Sequence, residues 1–510
     1  MIMSLSKNIY DNTIAYLGSV SKTERKKIGQ FFTPTAIAEY MGSLSNRRDE
    51  TMHILDPGAG SGILSAAIID VLLKTTGLKQ IELDLYENNL DIIPLLKNNL
   101  IYMQRAAQQH NIILNYSIIE ENFITANHFA WTGLIPNEKY DVVISNPPYK
   151  KIGKNDFESC VMKDIVYGQP NLYFLFMAMG AHLLKENGEF IYIIPRSFSS
   201  GLYFTVFRNR FLRTMRITHL HLFTSRESIS GDNDNVLQET VILRAVKSQE
   251  YFNSIKITES VGEDCINIIN KNYADYDICV KQDNNSFLFF PTCEKDIKVL
   301  NFVNQWPSTL SKLGYKMKTG IVVDFRETEW MRRNDNDSAI PLLWAYNFRN
   351  HRIQFPVEVE GKPQYLINVP ETKRLQMEKG NYVLLKRFTS KEEQKRLQCA
   401  LLFESDFSKY ENISTENHLN YITKIDGKMS KDEIYGLFII LNSSYLDRYF
   451  RILNGSTQVN ANEINVIPFP AFDDIVQIGR KAISCTDLTQ VNSDAILEEH
   501  FTTLLAGKAI

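Results

Sequence analysis

His53-Ile-Leu-Asp-Pro-Gly-Ala-Gly-Ser-Gly-Ile63 reads as a short apolar strand ending at Asp56, a loop with glycines at 58, 60 and 62, and the start of a helix. Glycine at alternate positions lets a backbone turn sharply and approach a ligand without Cβ obstruction. Such loops also occur in dehydrogenases and as plain strand-to-helix connections. The spacing here is not GxGxxG, however, which favours a nucleoside ligand lacking a pyrophosphate. On either side the pattern repeats. Ile81 to Tyr86, Ile112 to Ile119, Asp141 to Ser145 and Phe190 to Ile194 have the composition of strands, and helical patterns run from Ile63 to Lys74 and from Leu172 to Lys185. Alternation of strand and helix over about 250 residues predicts an α/β domain with a Rossmann-like, doubly wound sheet.

The chain has 510 residues, of which 44% are hydrophobic, so it can build a large core, and its length predicts two or three domains. From about Ser248 the periodicity weakens. We expect a catalytic domain over 1–250, a connector over 251–290 and a separate α+β domain over 291–510. In that last part Ile321 to Phe325 and Tyr382 to Leu385 read as strands, and Lys391 to Leu402, Lys431 to Leu441 and Tyr445 to Leu453 as helices. Fifty-six Lys and Arg against 59 Asp and Glu give a net charge of -3, which excludes a globally basic nucleic-acid coat. The halves are also balanced, with 25 basic and 25 acidic residues in 1–250 and 31 against 34 in 251–510. The N-terminal residues lack a basic and then apolar leader, and the longest apolar patch, Leu172 to Leu184, contains Gly180 and His182, so neither signal peptide nor membrane span is expected. Six cysteines without a CxxC pair argue against a zinc ribbon or a disulfide framework and fit a reducing cytoplasm.

Three further stretches carry chemistry. Leu83-Asp-Leu-Tyr-Glu87 ends a strand in an acid, 25 residues after Gly62. A carboxylate there sits at the ligand crevice and can accept hydrogen bonds from ribose hydroxyls, although a solvated loop carboxylate has the same signature. Glu87, which closes the apolar run, suits this better than Asp84. Asp141-Val-Val-Ile-Ser-Asn-Pro-Pro-Tyr149 is an apolar strand stopped by two prolines, which stiffen the loop. Such a loop can aim the Asn146 side-chain oxygen and the Pro147 carbonyl at one amino group. An exocyclic amine of adenine is a poor nucleophile because its lone pair is delocalised, and two acceptors on its hydrogens favour pyramidal nitrogen and stabilise the charge that develops during attack on a methyl sulfonium. Tyr149 offers a stacking face worth roughly 1–3 kcal/mol. Finally, Gly29-Gln-Phe-Phe-Thr-Pro-Thr35 precedes a helical pattern, with Thr33 as N-cap and Pro34 at the first helical position, so that free N–H groups face a carboxylate.

Together these stretches resemble the γ-class adenine-N6 DNA methyltransferases of type II restriction-modification systems. In that family the Thr-Pro segment, the glycine loop, Asn-Pro-Pro-Tyr and a C-terminal target recognition domain follow in the order found here. Lys318-Thr-Gly-Ile-Val-Val-Asp-Phe-Arg326, Tyr382 to Phe388, Leu441 to Phe450, Asn454-Gly-Ser-Thr-Gln-Val-Asn460 and Ile467-Pro-Phe-Pro470 extend the resemblance to about residues 25–475. It implies a methyltransferase sheet followed by an α+β target recognition domain, S-adenosyl-L-methionine as cofactor and no metal. It also implies that Thr33, Asp56, Gly58 and Gly60 line the methionine end, that Glu87 holds the ribose, and that Phe123 packs on the adenine. The family's Asp-Phe pair appears here as Glu121-Asn122-Phe123, so Asn122 would pair with the adenine as donor or acceptor. Asn146, Pro147, Pro148 and Tyr149 would hold the flipped target adenine, with Phe223 the candidate for the second aromatic of the sandwich.

An enzyme acting on a base inside duplex DNA must extrude it, so it needs phosphate contacts and groove readout. Between Phe190 and Arg226 stand six arginines, Arg196, Arg208, Arg210, Arg213, Arg216 and Arg226, and no acid. Interleaved aromatics make this either a phosphate-facing amphipathic helix or a solvated helix face. In the second domain Arg349, Arg352, Lys386 and Arg387 are candidate DNA contacts. Methylation of RNA or of a protein glutamine is the rival activity, since those enzymes share Asn-Pro-Pro-Tyr, and a non-catalytic DNA-binding subunit is the rival role. The chain has no Pro-Cys dipeptide for cytosine C5 chemistry and no Pro-Asp dipeptide of a nuclease centre. We therefore expect a monomeric cytoplasmic enzyme that acts on double-stranded DNA and is paired with a separate restriction endonuclease.

Overall fold

The computed structural model describes residues 4–19, 32–223, 240–262, 267–281, 283–335, 339–390, 393–485 and 487–507. They form two compact units, Met1–Glu294 and Lys295–Ile510. In the first, one sheet contains β1 (Thr51–Asp56), β2 (Gln80–Tyr86), β3 (Ile113–Ile119), β4 (Tyr140–Ser145), β5 (Leu184–Pro195), β6 (Met215–Phe223), β7 (Thr240–Lys247), β8 (Ser254–Ser260) and β9 (Ile268–Asp275), in the order 3-2-1-4-5-7-6-8-9. The strands β3, β2, β1, β4 and β5 run parallel, and β7 inserts antiparallel between β5 and β6. The expected doubly wound α/β sheet is therefore present.

Helices cover this sheet because its central strands are apolar on both faces. Every residue of β4 is buried, as the continuous run Val142-Val143-Ile144 requires. On β5, Ile191 and Ile193 join the core formed with β1 and the helix Ile63–Leu72. In the other phase Phe190 and Tyr192 stack at 3.9 Å, and Phe211 meets Phe190 edge-on at 5.3 Å. The helix Ile63–Leu72 buries eight of its ten residues, and each fully buried Ile or Leu contributes about 1.5–3 kcal/mol. That burial anchors the glycine loop that precedes it.

Several expectations change. The stretch 251–290 is not a bare connector, because β8 and β9 extend the first unit's sheet, with β8 parallel to β6. In the second unit the strand lies at Tyr315–Thr319 rather than at 321–325, since the Tyr-Lys-Met-Lys alternation buries Tyr315 and Met317 and exposes the lysines between. Ile321 and Val322 instead donate backbone N–H groups to the Thr415 carbonyl. The helix expected over 391–402 is replaced by the strand Cys399–Leu402, paired with Tyr382–Lys386. Just before it, Arg396 is buried, with its guanidinium on Thr389 and the Ser456 carbonyl and its backbone N–H on Asp447. Tertiary pairing overrides local helix propensity there. The helices Lys431–Asn442 and Ser444–Leu453 lie where their apolar periodicity predicts. Two sheets of six and five strands make this unit α+β.

Candidate active site

Strand order reverses between β1 and β4, one leading to β2 and the other to β5. Ligands of open parallel sheets bind beyond the carboxyl ends of the strands at such a reversal. The glycine loop leaves β1 there, and Asn146-Pro147-Pro148-Tyr149 leaves β4. The loops meet closely enough that a Cβ on Gly58 would lie 3.9 Å from the Asn146 carbonyl oxygen. Gly60 and Gly62 have φ of 53° and 82°, left-handed values that a side chain would strain, and Gly62 caps the buried helix. Glu87, just past β2, ties the region together. Its Oε2 accepts the Gly60 N–H at 2.9 Å and its Oε1 the Asn89 N–H at 2.8 Å. Burial raises its pKa above the ordinary carboxylate value, with both N–H groups opposing.

A cavity of about 280 Å³ occupies this crevice. Gly58, Gly60 and Glu87 form one part of its wall, Asn122 and Phe123 another, and Thr33, Asn146, Pro147 and Pro148 a third. Nine residues singled out along 116 positions of sequence thus converge on one space. Two others stand off the wall. Asp56 is fully buried behind the loop, and Tyr149 is half-buried, its hydroxyl donating to the Ile193 carbonyl at 2.9 Å and its ring edge-on to Tyr173.

Two local roles differ from expectation. Pro34 is itself the N-cap of the helix Thr35–Ser43, and Thr33 does not cap it. The buried Thr33 hydroxyl instead accepts a hydrogen bond from Asn146 Nδ2 at 3.1 Å, which orients the Asn146 amide with its nitrogen toward Thr33. Asn122 is committed within the protein, as Oδ1 caps the short helix Phe123–Ala126 and Nδ2 donates to Glu158 at 2.9 Å. Phe123 is held between Tyr86 and Phe176, with ring centroids 5.0 and 5.1 Å away. Glu158 and Asn89 line the cavity without having carried any sequence signal, and Phe176 does so from the helical pattern beginning at Leu172, to which the sequence assigns no chemistry.

The basic segment after β5 does not present its arginines as a row. Arg208 is buried and donates to the carbonyls of Phe198, Gly201 and Asn285, so it holds the fold rather than phosphate. Arg196 is buried against the Phe290 ring. Arg210 is partly exposed but pairs with Asp164 and lies over Trp131 at 4.1 Å. Desolvated guanidinium groups persist because backbone carbonyls and rings replace water. Arg226 lies outside the described residues. Phe223 is buried in the core against His221 and is not on the cavity wall. In the second unit Arg349 is exposed on the hairpin Phe348–Ile353, Arg352 is exposed over Phe403, Lys386 is half-buried near Phe348, and Arg387 donates to the Asn417 carbonyl.

The family model described as Eco57I restriction-modification methylase matches residues 62–229. Type II methyltransferase M.PstI of Providencia stuartii is 31% identical over 504 residues, covering 98% of this chain and 98% of that one. The chain belongs to the type II restriction-modification methyltransferases. M.BsuBI of Bacillus subtilis is 32% identical over 487 residues, 93% of this chain and 94% of its own. A release factor glutamine methyltransferase of Fusobacterium nucleatum is 31% identical over 140 residues, but these are only 28% of this chain. The methyltransferase accordingly acts on DNA and uses S-adenosyl-L-methionine. Its cavity fits that cofactor, since two side-chain atoms at the wall, Ser61 Oγ and Asn89 Nδ2, are buried with no hydrogen-bond partner among the described residues. No helix among the described residues is long and apolar enough to cross a membrane.

Asp56 makes a pH-dependent prediction. Burial pushes its pKa up to about 7 against the Ser65 hydroxyl, which donates to Oδ2 at 2.8 Å, while Oδ1 has no hydrogen-bond partner among the described residues. With Asp56 at the cationic methionine end, as the family resemblance implies, the ionised carboxylate is favoured, so cofactor affinity should rise as pH rises from about 6 to about 8, with proton release on binding. Asp56→Asn should weaken binding about tenfold at pH 8 and flatten this dependence in calorimetry. Because the folded pKa is raised, the carboxyl stabilises the unliganded fold at low pH and loses that contribution as pH rises through about 7. Asp56→Asn should therefore melt no lower than wild type at pH 8, and a lower Tm with unchanged affinity would reverse the assignment.

Proposed function

We propose that the methyltransferase transfers a methyl group to N6 of adenine at a specific site in double-stranded DNA, with the target base flipped out of the helix. The observation that carries this reading is the meeting of Asn146, Pro147 and Pro148 with the glycine loop and Glu87 on one cavity. S-adenosyl-L-methionine supplies an electrophilic methyl group that leaves a neutral thioether. The chain's own residues supply position and polarity. Asn146 Oδ1 and the Pro147 carbonyl accept the hydrogens of the target amine, drawing its lone pair out of conjugation as positive charge grows on nitrogen. Thr33 restricts rotation of the Asn146 amide, so the acceptor is organised before the base arrives. Tyr149, its hydroxyl tied to β5, offers the flipped base a stacking face. Glu87, Gly58, Gly60 and Phe123 are assigned to the cofactor, with Asp56 acting from behind the loop. Arg349, Arg352, Lys386 and Arg387 are assigned to the DNA.

We also assign it the protective role of its system, as a cytoplasmic monomer whose cognate endonuclease is a separate protein. Genomic DNA from cells expressing the chain tests the reading directly. Modified-base sequencing should find N6-methyladenine at one recurring sequence, and that DNA should resist the cognate endonuclease. N4-methylcytosine, or methyl label in RNA or protein instead of DNA, would replace this reading with one of its rivals.

A further inference from the structure

The position expected to pair with the cofactor's adenine is Asn122, and its amide is already engaged. Oδ1 accepts the N–H groups of Ile124 and Thr125 at 3.0 and 3.2 Å, and Nδ2 donates to Glu158 Oε1 at 2.9 Å. An amide held this way has no oxygen to turn toward a second amine without uncapping the helix at Phe123. Glu158 is placed differently. It comes from another segment, the short helix Phe157–Val161, yet lines the same cavity as Asn122 and Phe123. Among the described residues it forms no salt bridge, and the only hydrogen bond to its carboxylate is the one from Asn122. An ionised carboxylate accepts at about four lone-pair positions, so Asn122 leaves most of its capacity unused. Glu121, the other carboxylate at this end of the cavity, is exposed, and among the described residues its side chain has no hydrogen bond to orient it.

We propose that Glu158, oriented by Asn122, accepts a hydrogen bond from the exocyclic amine of the cofactor's adenine and so selects a 6-aminopurine nucleoside. The acceptor supplied elsewhere in the family by an aspartate is thus moved to a second segment, with Asn122 as its positioning residue. The inference rests on S-adenosyl-L-methionine being the cofactor.

Calorimetry on the full chain tests it, using S-adenosyl-L-homocysteine and its 6-deamino analogue. Wild type should prefer the amino compound by about 10–100-fold, the range of a hydrogen bond to a charged group. Glu158→Ala should reduce that preference to within about twofold while binding the deamino analogue as wild type does, which also shows that the variant is folded. Asn122→Asp should weaken binding of the amino compound, because it sets two carboxylates at a hydrogen-bond distance. Adding Glu158→Gln should recover it. A preference retained in Glu158→Ala, or amino-compound binding by Asn122→Asp as tight as wild type, would overturn the assignment. Failure of wild type to bind either compound would instead remove the cofactor reading beneath it.

Discussion

Asn146→Ala should lower the methyl-transfer rate by roughly 10²–10³-fold or more, the scale set by removing one preorganised polar group from a transition state. The loss belongs to kcat, because the acceptor matters most when charge develops on the target nitrogen. Cofactor affinity should change only a few-fold, since the glycine loop and Glu87 are untouched. Asn146→Asp separates two parts of the role. It keeps an acceptor oxygen but removes the Nδ2 donor that Thr33 accepts at 3.1 Å. Because the Thr33 hydroxyl can turn and donate, the aspartate variant should retain clearly more activity than the alanine variant. Single-turnover transfer of labelled methyl groups to DNA, with calorimetry on the same preparations, measures both quantities. Transfer by Asn146→Ala within tenfold of wild type would remove Asn146 from catalysis.

Glu87→Ala should weaken cofactor binding by roughly 10²-fold, the sum expected for charge-assisted hydrogen bonds to the ribose and a slackened glycine loop. The second contribution follows from the structure, because this carboxylate also accepts the N–H groups of Gly60 and Asn89. Glu87→Gln keeps the shape and one acceptor and should fall between the two. At saturating cofactor the methyl-transfer rate should return to within a few-fold of wild type, so the defect appears in the cofactor KM. A Glu87→Ala protein with normal KM and reduced kcat would show that the residue acts on the reacting atoms instead.

Much of the site was legible because its signals are local. A glycine loop after an apolar strand, an acid at the end of the next strand, and a strand stopped by Pro147 and Pro148 each declare themselves within about ten residues. Strand ends of a parallel sheet then gather at one crevice, which is why Gly60, Glu87 and Asn146 share a cavity wall. Burial is not local. The run of arginines after β5 had the spacing of a DNA-facing helix, but the carbonyls that receive Arg208 include that of Asn285, 77 positions away. The Lys391 to Leu402 segment had helical composition, but the neighbours of Arg396 and the pairing of Cys399–Leu402 make residues 393–402 irregular chain and strand.

The sequence by itself determined the alternating α/β sheet, the loops that end β1 and β4, and the family, because periodicity and turn chemistry are properties of short stretches of chain. Only the tertiary structure decided what those loops are held by. The Thr33–Asn146 bond spans 113 positions and the Asn122–Glu158 bond 36. Such partners are chosen by strand order and by the need to satisfy polar groups withdrawn from water, and neither leaves a mark on the residues nearby.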